Sequence, residues 1–178
     1  VKKTIFELNQ HALIMDLMEL EQNHFYNINI HVGGVYGDKK SSLERFCSEF
    51  ENLSLSTKKR LTVENDDSPN GYTVKDLYEG VYSKIKTPIV FDSLHHYCNS
   101  GDMTARESFN LAANTWGDIL PEVHHSSSKK IHEDNSSTLK SHADYIYEKF
   151  MDVEGEIYIS IEAKQKELSV QKYKEQFF

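Results

Sequence analysis

The sequence predicts an α/β fold: a parallel barrel of the TIM (β/α)8 type, of which about five βα units are present, an incomplete barrel. Three observations predict it. Short apolar runs alternate with amphipathic segments along the chain. Those runs show little inside–outside alternation. Each of the five runs ends on a histidine or a carboxylate. Strands alternating with helices pair in parallel through right-handed crossovers. Continuous apolar strands suit a parallel sheet covered on both faces.

The elements follow in order. Residues 2–22 carry Ile5, Leu8, Ala12 and Met15 at helical spacing, so a helix is predicted there. FYNINIHVGG alternates Tyr26, Ile28 and Ile30 before His31, which predicts a strand ending at Gly33 and Gly34. KSSLERFCSEFENLS places Leu43, Phe46, Phe50 and Leu53 on one helical face. RLTVEN is a short strand. TVKDLYEGVYSKI is a helix with Leu77, Val81 and Ile85 inward. TPIVFD is a strand whose first position suits Pro88. ARESFNLAANTWG is a helix capped by Thr104 before it and Gly117 after it. DILPEVHHSSS is the fourth strand, SHADYIYEKFM (141–151) a helix, EIYISIEAK the fifth strand, and AKQKELSVQKYKEQFF a last helix.

The chain of 178 residues is read as a single domain, 1–178. Its mean hydropathy of −0.60 is polar, but 9 Phe, 10 Tyr and 1 Trp suffice for a core. A net charge of −8 argues against binding nucleic acid through lysines and arginines alone. Divalent cations reverse such a local field, so metal-assisted binding stays open. Cys47 and Cys98 form no CxxC pair and read as reduced thiols of an intracellular protein. No secretory signal or membrane-crossing segment is evident, so neither secretion nor a membrane is expected.

The chemistry lies in the strand ends. They are His31 in INIH, Glu64 in LTVE, Asp92 in IVFD, His124 in EVH and Glu162 in ISIE. With 28 Asp and Glu and 9 His in 178 residues, coincidence at all five ends is a poor explanation. In a parallel barrel the carboxyl ends of the strands share one face, where catalytic side chains gather. Imidazole and carboxylate together suit Zn²⁺, Mn²⁺ or Fe, and a carboxylate using both oxygens can bridge two ions. Helix capping is the plainer alternative. It suits Asp92 but not histidine or glutamate, which are not preferred caps. His95, three residues past Asp92, can reach a further ion. His96 and His125 then point elsewhere, and His11, His24 and His132 read as packing or loop residues. Ser126–Ser128 lack the G-x-S-x-G setting of a serine hydrolase.

Six ordered stretches, INIHVGGVYGDK, LTVENDD, IVFDSLHH, PEVHHSSS, SHADYI and IEAKQKE, resemble the UV damage endonucleases over almost the whole chain. That family is similar to the abasic-site endonucleases of the endonuclease IV type. The resemblance implies a TIM barrel holding up to three divalent ions, Mn²⁺ first, with Zn²⁺ or Mg²⁺ as alternatives. It implies hydrolysis of the phosphodiester 5′ to a pyrimidine dimer, 6-4 photoproduct or abasic site in double-stranded DNA, by a protein monomeric at full length. His31 resembles a ligand of the first metal, and Glu64 the carboxylate bridging first and second. Asp92, His124 and Glu162 resemble ligands of the second, and His95 and His142 ligands of the third. Asp144 is a further candidate there. Lys164, in EAK, is read as a charge partner for the phosphate or for Glu162.

Two departures stand out. The family reads Pro-Lys-x-His before the strand-end histidine, with a lysine able to carry a carboxyl group. This chain has PEVH, so Glu122 is expected to supply that carboxylate directly. The family barrel has eight strands. The other three would precede residue 1, with another first-metal histidine and the residues that probe the damaged bases. Lys39, Lys40, Lys129, Lys130 and Arg106 are candidate DNA contacts, or solvated charges. Two competing readings are a metal-dependent sugar isomerase or epimerase on the same barrel, and an inactive fragment that only binds DNA or a partner.

Overall fold

The computed structural model describes residues 1–178. Five parallel strands lie in the order β1-β2-β3-β4-β5: Ile28–Ile30, Leu61–Glu64, Ile89–Asp92, Glu122–His125 and Tyr158–Ile161. Sequential neighbours pair throughout, and the sheet curls into a half-barrel with helices around it. β2 and β3 are buried along their whole length, including the polar Thr62, Glu64 and Asp92. β4 alternates: Val123 and His125 are buried among the helices, while Glu122 and His124 are more open.

The helices are α1 (Lys2–Leu17), α2 (Lys39–Phe50), α3 (Leu55–Arg60), α4 (Val74–Leu77), α5 (Ser83–Ile85), α6 (Ser93–Cys98), α7 (Ala105–Ala113), α8 (Lys129–His132) and α9 (Lys166–Phe177). A π-helical turn, Tyr78–Tyr82, joins α4 to α5, so the predicted helix over 73–85 is one run with a local bulge. Gly80 sits in that bulge because a Cβ there would collide with Leu43 of α2. Thr104 and Glu107 form a reciprocal capping box at the start of α7. The main core joins β2, β3 and β4 to α2, α4 and α7 through Leu43, Val63, Leu77, Phe91, Phe109 and Val123.

The first helix ends at Leu17, short of the expected residue 22; α3 takes in Arg60, which was expected to open the second strand, and α6 forms directly after Asp92. Arg60, fully buried at the end of α3, ties that region down. Its guanidinium donates to Asp16 Oδ1 at 2.9 Å and to the Leu20 and Glu21 carbonyls at 2.7 Å each.

The helix expected over 141–151 does not form. Ala143, Ile146 and Phe150 are buried at three- and four-residue spacing, which mimics a helical period. Their backbone is bonded elsewhere. Ser128 and His142 make an antiparallel bridge, the Lys129 N–H donates to the Ser141 carbonyl at 2.7 Å, and the Ala143 N–H to the Ser127 carbonyl at 2.9 Å. The Ser127 hydroxyl accepts from the Tyr147 N–H at 2.9 Å, and the Tyr173 hydroxyl from the Phe150 N–H at 3.0 Å. These bonds replace the i→i−4 ladder a helix would need.

Candidate metal centre

Glu64, the last residue of β2, is the hub. Its side chain is 6% exposed, and its two oxygens face different histidines. Oε1 stands 2.9 Å from His95 Nδ1 and 3.8 Å from His31 Nε2. Oε2 stands 3.3 Å from His124 Nδ1 and also accepts from the Asn29 side-chain amide. Two sets of donor atoms therefore share this carboxylate: His31–Glu64–His95 and Glu64–Asp92–His124, the atoms of each lying within 4.8 Å of one another.

Asp92, at the end of β3, is fully buried. Oδ1 caps α6 by accepting the His95 N–H at 2.7 Å, so the capping reading of this residue holds in part. Oδ2 has no hydrogen-bond partner although it is buried. An orphaned buried carboxylate oxygen is costly, and one set among Glu64 and His124 fits the coordination of a cation. The donor set of three imidazoles and two carboxylates fits Zn²⁺ or Mn²⁺ equally well.

Glu162, one residue past β5, extends the second set: Oε1 is 3.3 Å from His124 Nδ1, and Oε2 is 3.8 Å from His142 Nδ1. His142 reaches this place through its bridge to Ser128, not from a helix, and its ring faces that of His95 at 6.4 Å. Asp144 joins neither donor set; its N–H donates to Glu133 and its carbonyl accepts from Gln165. Lys164 is exposed beside His142, where its N–H donates to the Ala143 carbonyl at 3.1 Å.

Glu122 sits two residues before His124 on the same face of β4. It accepts from Asn27 and from the Ser160 hydroxyl, and Oε1 lies 3.9 Å from His124 Nε2. It thus backs the far nitrogen of an imidazole whose near nitrogen faces Glu64 and Glu162.

The electrostatics follow from this packing. Burial opposes ionisation of Glu64, yet His124, His95 and His31 hold its carboxyl well below the usual range. Burial likewise opposes charge on the histidines, but Glu162 and Glu64 push His124 up to about 10, and Glu64 and Asp92 push His95 up to about 9. Burial raises Asp92 to about 6. His142 is lowered by burial, and the nearby Lys164 charge adds to that shift.

Asp66 and Asn29 escaped the sequence reading. Asn29 stands two residues before His31, so strand alternation marks it as sharing that face. Asp66 had only its place in ENDD to mark it. Of the basic candidates, Lys39 is paired with Asp76 at 2.7 Å, Lys129 and Lys130 lie on α8 just past β4, and Arg106 lines a groove with Asp152, Glu154 and Glu156, away from the centre. His125 faces the helices and meets Ser93 and the Glu148 carbonyl; His96 packs near Phe91. Both thiols are free, and no helix is long and apolar enough to cross a membrane.

Comparison with known proteins identifies the family. The family described as "UV-endonuclease UvdE" matches residues 1–176. A UV DNA damage endonuclease of Clostridium perfringens is 32% identical over 175 residues, covering 94% of this chain and 40% of that protein. Those of Bacillus mycoides and Bacillus cereus strain Q1 are 32% and 34% identical over 176 residues, covering 93% of this chain and 52% of each relative. A solved structure described as "Crystal Structure of SacUVDE" superposes with a TM-score of 0.84 at 31% identity, covering 99% of this chain and 58% of that one. The chain spans about half the length of the curated relatives it matches. By its matched length, its half-barrel and its kinship with these proteins, the chain belongs to the UV-endonuclease UvdE family.

Proposed function

We propose that this protein is a metal-dependent DNA repair endonuclease that hydrolyses the phosphodiester 5′ to UV photoproducts or abasic sites in double-stranded DNA. The observation that carries the reading is Glu64, one buried carboxylate shared by two donor sets. His31 and Glu64 would hold one divalent ion, Glu64, Asp92, His124 and Glu162 a second, and His95 and His142, whose rings are 6.4 Å apart, a third. Mn²⁺ is the expected ion. Such ions, when bound, neutralise the scissile phosphate and acidify the attacking water.

The chain's own residues supply the rest. Glu64 spaces the donor sets and balances the imidazoles around it. Glu122 stands where the family lysine would, and provides a permanent carboxylate behind His124. Lys164, exposed and near His142, is read as a charge partner for the phosphate or for Glu162. Asp144 is the weakest of the proposed ligands, since its hydrogen bonds run through its backbone to Glu133 and Gln165, whereas Glu162 adjoins both His124 and His142. The protein is expected to work inside the cell, as a monomer at full length.

The test is nicking of UV-irradiated plasmid by the purified chain with Mn²⁺, with and without chelator. Chelator-sensitive nicks at lesions support the reading. A metal-loaded chain that binds irradiated DNA but leaves it uncut contradicts the assignment of activity to this chain.

A further inference from the structure

We infer that Asp66 is a positioning residue of the centre, holding the His31 imidazole by Nδ1 so that Nε2 is the nitrogen offered to an ion beside Glu64. The inference rests on the metal-centre reading above and deepens it. His31 lies just past β1, the edge strand, and its side chain is 43% exposed. A ring in such a place has rotational freedom unless something restrains it. Asp66 is the partner within hydrogen-bonding reach: its Oδ1 is 2.9 Å from His31 Nδ1, whereas Glu64 Oε1 is 3.8 Å from Nε2.

A neutral imidazole carries one N–H and one lone pair. A carboxylate on Nδ1 takes the N–H, so the lone pair stays on Nε2, on the side of Glu64 and of His95, whose ring is 5.3 Å away. The same bond raises the basicity of the ligand nitrogen.

Asp66 is itself restrained. Its Oδ2 accepts the Tyr72 N–H at 2.8 Å, and its own N–H donates to the Tyr72 carbonyl at 2.8 Å. The Asn99 side chain donates to its carbonyl at 3.2 Å. Gly71 leaves room for it: a Cβ at that position would stand 2.7 Å from Asp66 Oδ2 and press on its Cβ. The turn over residues 66–72 thus fits the carboxylate on one side and faces it to His31 on the other.

The experiment is Mn²⁺ titration of the full chain with bound ions counted per molecule. It compares wild type, Asp66→Ala, Asp66→Asn and Gly71→Ala, each also melted in the metal-free state. Asp66→Ala is expected to bind one ion about 10- to 100-fold more weakly. The ion at Asp92 and His124 should keep its affinity, while the metal-free melt should fall modestly because the Tyr72 N–H loses its acceptor. A purely structural role would weaken every site together, in step with the melt. Asp66→Asn keeps an acceptor oxygen without the charge, so its loss should be smaller. Gly71→Ala should weaken the same site by displacing an intact carboxylate. Wild type that binds ions while Asp66→Ala and Asp66→Asn bind them equally overturns the role of Asp66 alone. Wild type that binds no ion overturns the metal-centre reading and this inference with it.

Discussion

His124 Nδ1 stands 3.3 Å from Glu64 Oε2, although the two residues lie near the carboxyl ends of β4 and β2, which are separated by β3. The curl of the sheet closes that gap. A flat sheet would hold the two β-carbons about 10 Å apart, two strand spacings. Barrel curvature therefore brings the two side chains into direct contact.

Replacing Glu64 by Gln should abolish nicking and lower the metal count by more than one ion, because one carboxylate serves both donor sets. Element analysis of the purified variant tests this. Loss of a single ion, with the other retained, would show that the carboxylate does not bridge.

Glu122→Gln removes the charge behind His124 Nε2 but keeps a similar shape. Metal affinity should fall by roughly 10-fold, with a matching fall in nicking rate at limiting Mn²⁺. Wild-type affinity and rate in this variant would end the idea that Glu122 stands in for the family lysine.

Metal binding should release protons. His124 is held up at about 10 and His95 at about 9, so both imidazoles carry a proton at pH 7 in the metal-free chain. Their folded values lie above the unfolded value near 6.5. Their ion pairs therefore stabilise the metal-free fold fully below that pH, and the contribution is lost as pH rises through about 9 and 10. A cation must displace these protons, so apparent Mn²⁺ affinity should climb between pH 6 and 9. Calorimetry in buffers of different ionisation enthalpy measures the release. A buffer-independent heat with affinity flat over that range would contradict these values.

Phe150→Ala should cost about 3 to 5 kcal/mol in urea denaturation. Its ring packs against Phe91, Phe109 and His125 at centroid distances of 6.4, 6.0 and 5.3 Å. It is also the last buried residue of the stretch that anchors His142. A cost below about 1 kcal/mol would mean that this stretch contributes little to the core.

The sequence by itself determined the parallel α/β class, the five strands and their order, and the reactive residue at each carboxyl end. Those features are local. Apolar runs, punctuating turns and the chemical type of the next side chain all lie within a few positions of one another, and right-handed crossovers leave little freedom in how such units stack. The tertiary structure decided what depends on partners distant in sequence. Residues 141–151 have a helical burial period, yet Ser127 and Ser128 take up their backbone and convert them into the strap that brings in His142. Asp92 looked like either a cap or a ligand, and packing assigns one oxygen to the cap while leaving the other unpaired. Asp66 meets His31 across thirty-five positions through a turn that Gly71 allows. Periodicity records which side chains are buried, but the hydrogen bonds that choose a backbone, a rotamer or a tautomer form only once the sheet has curled.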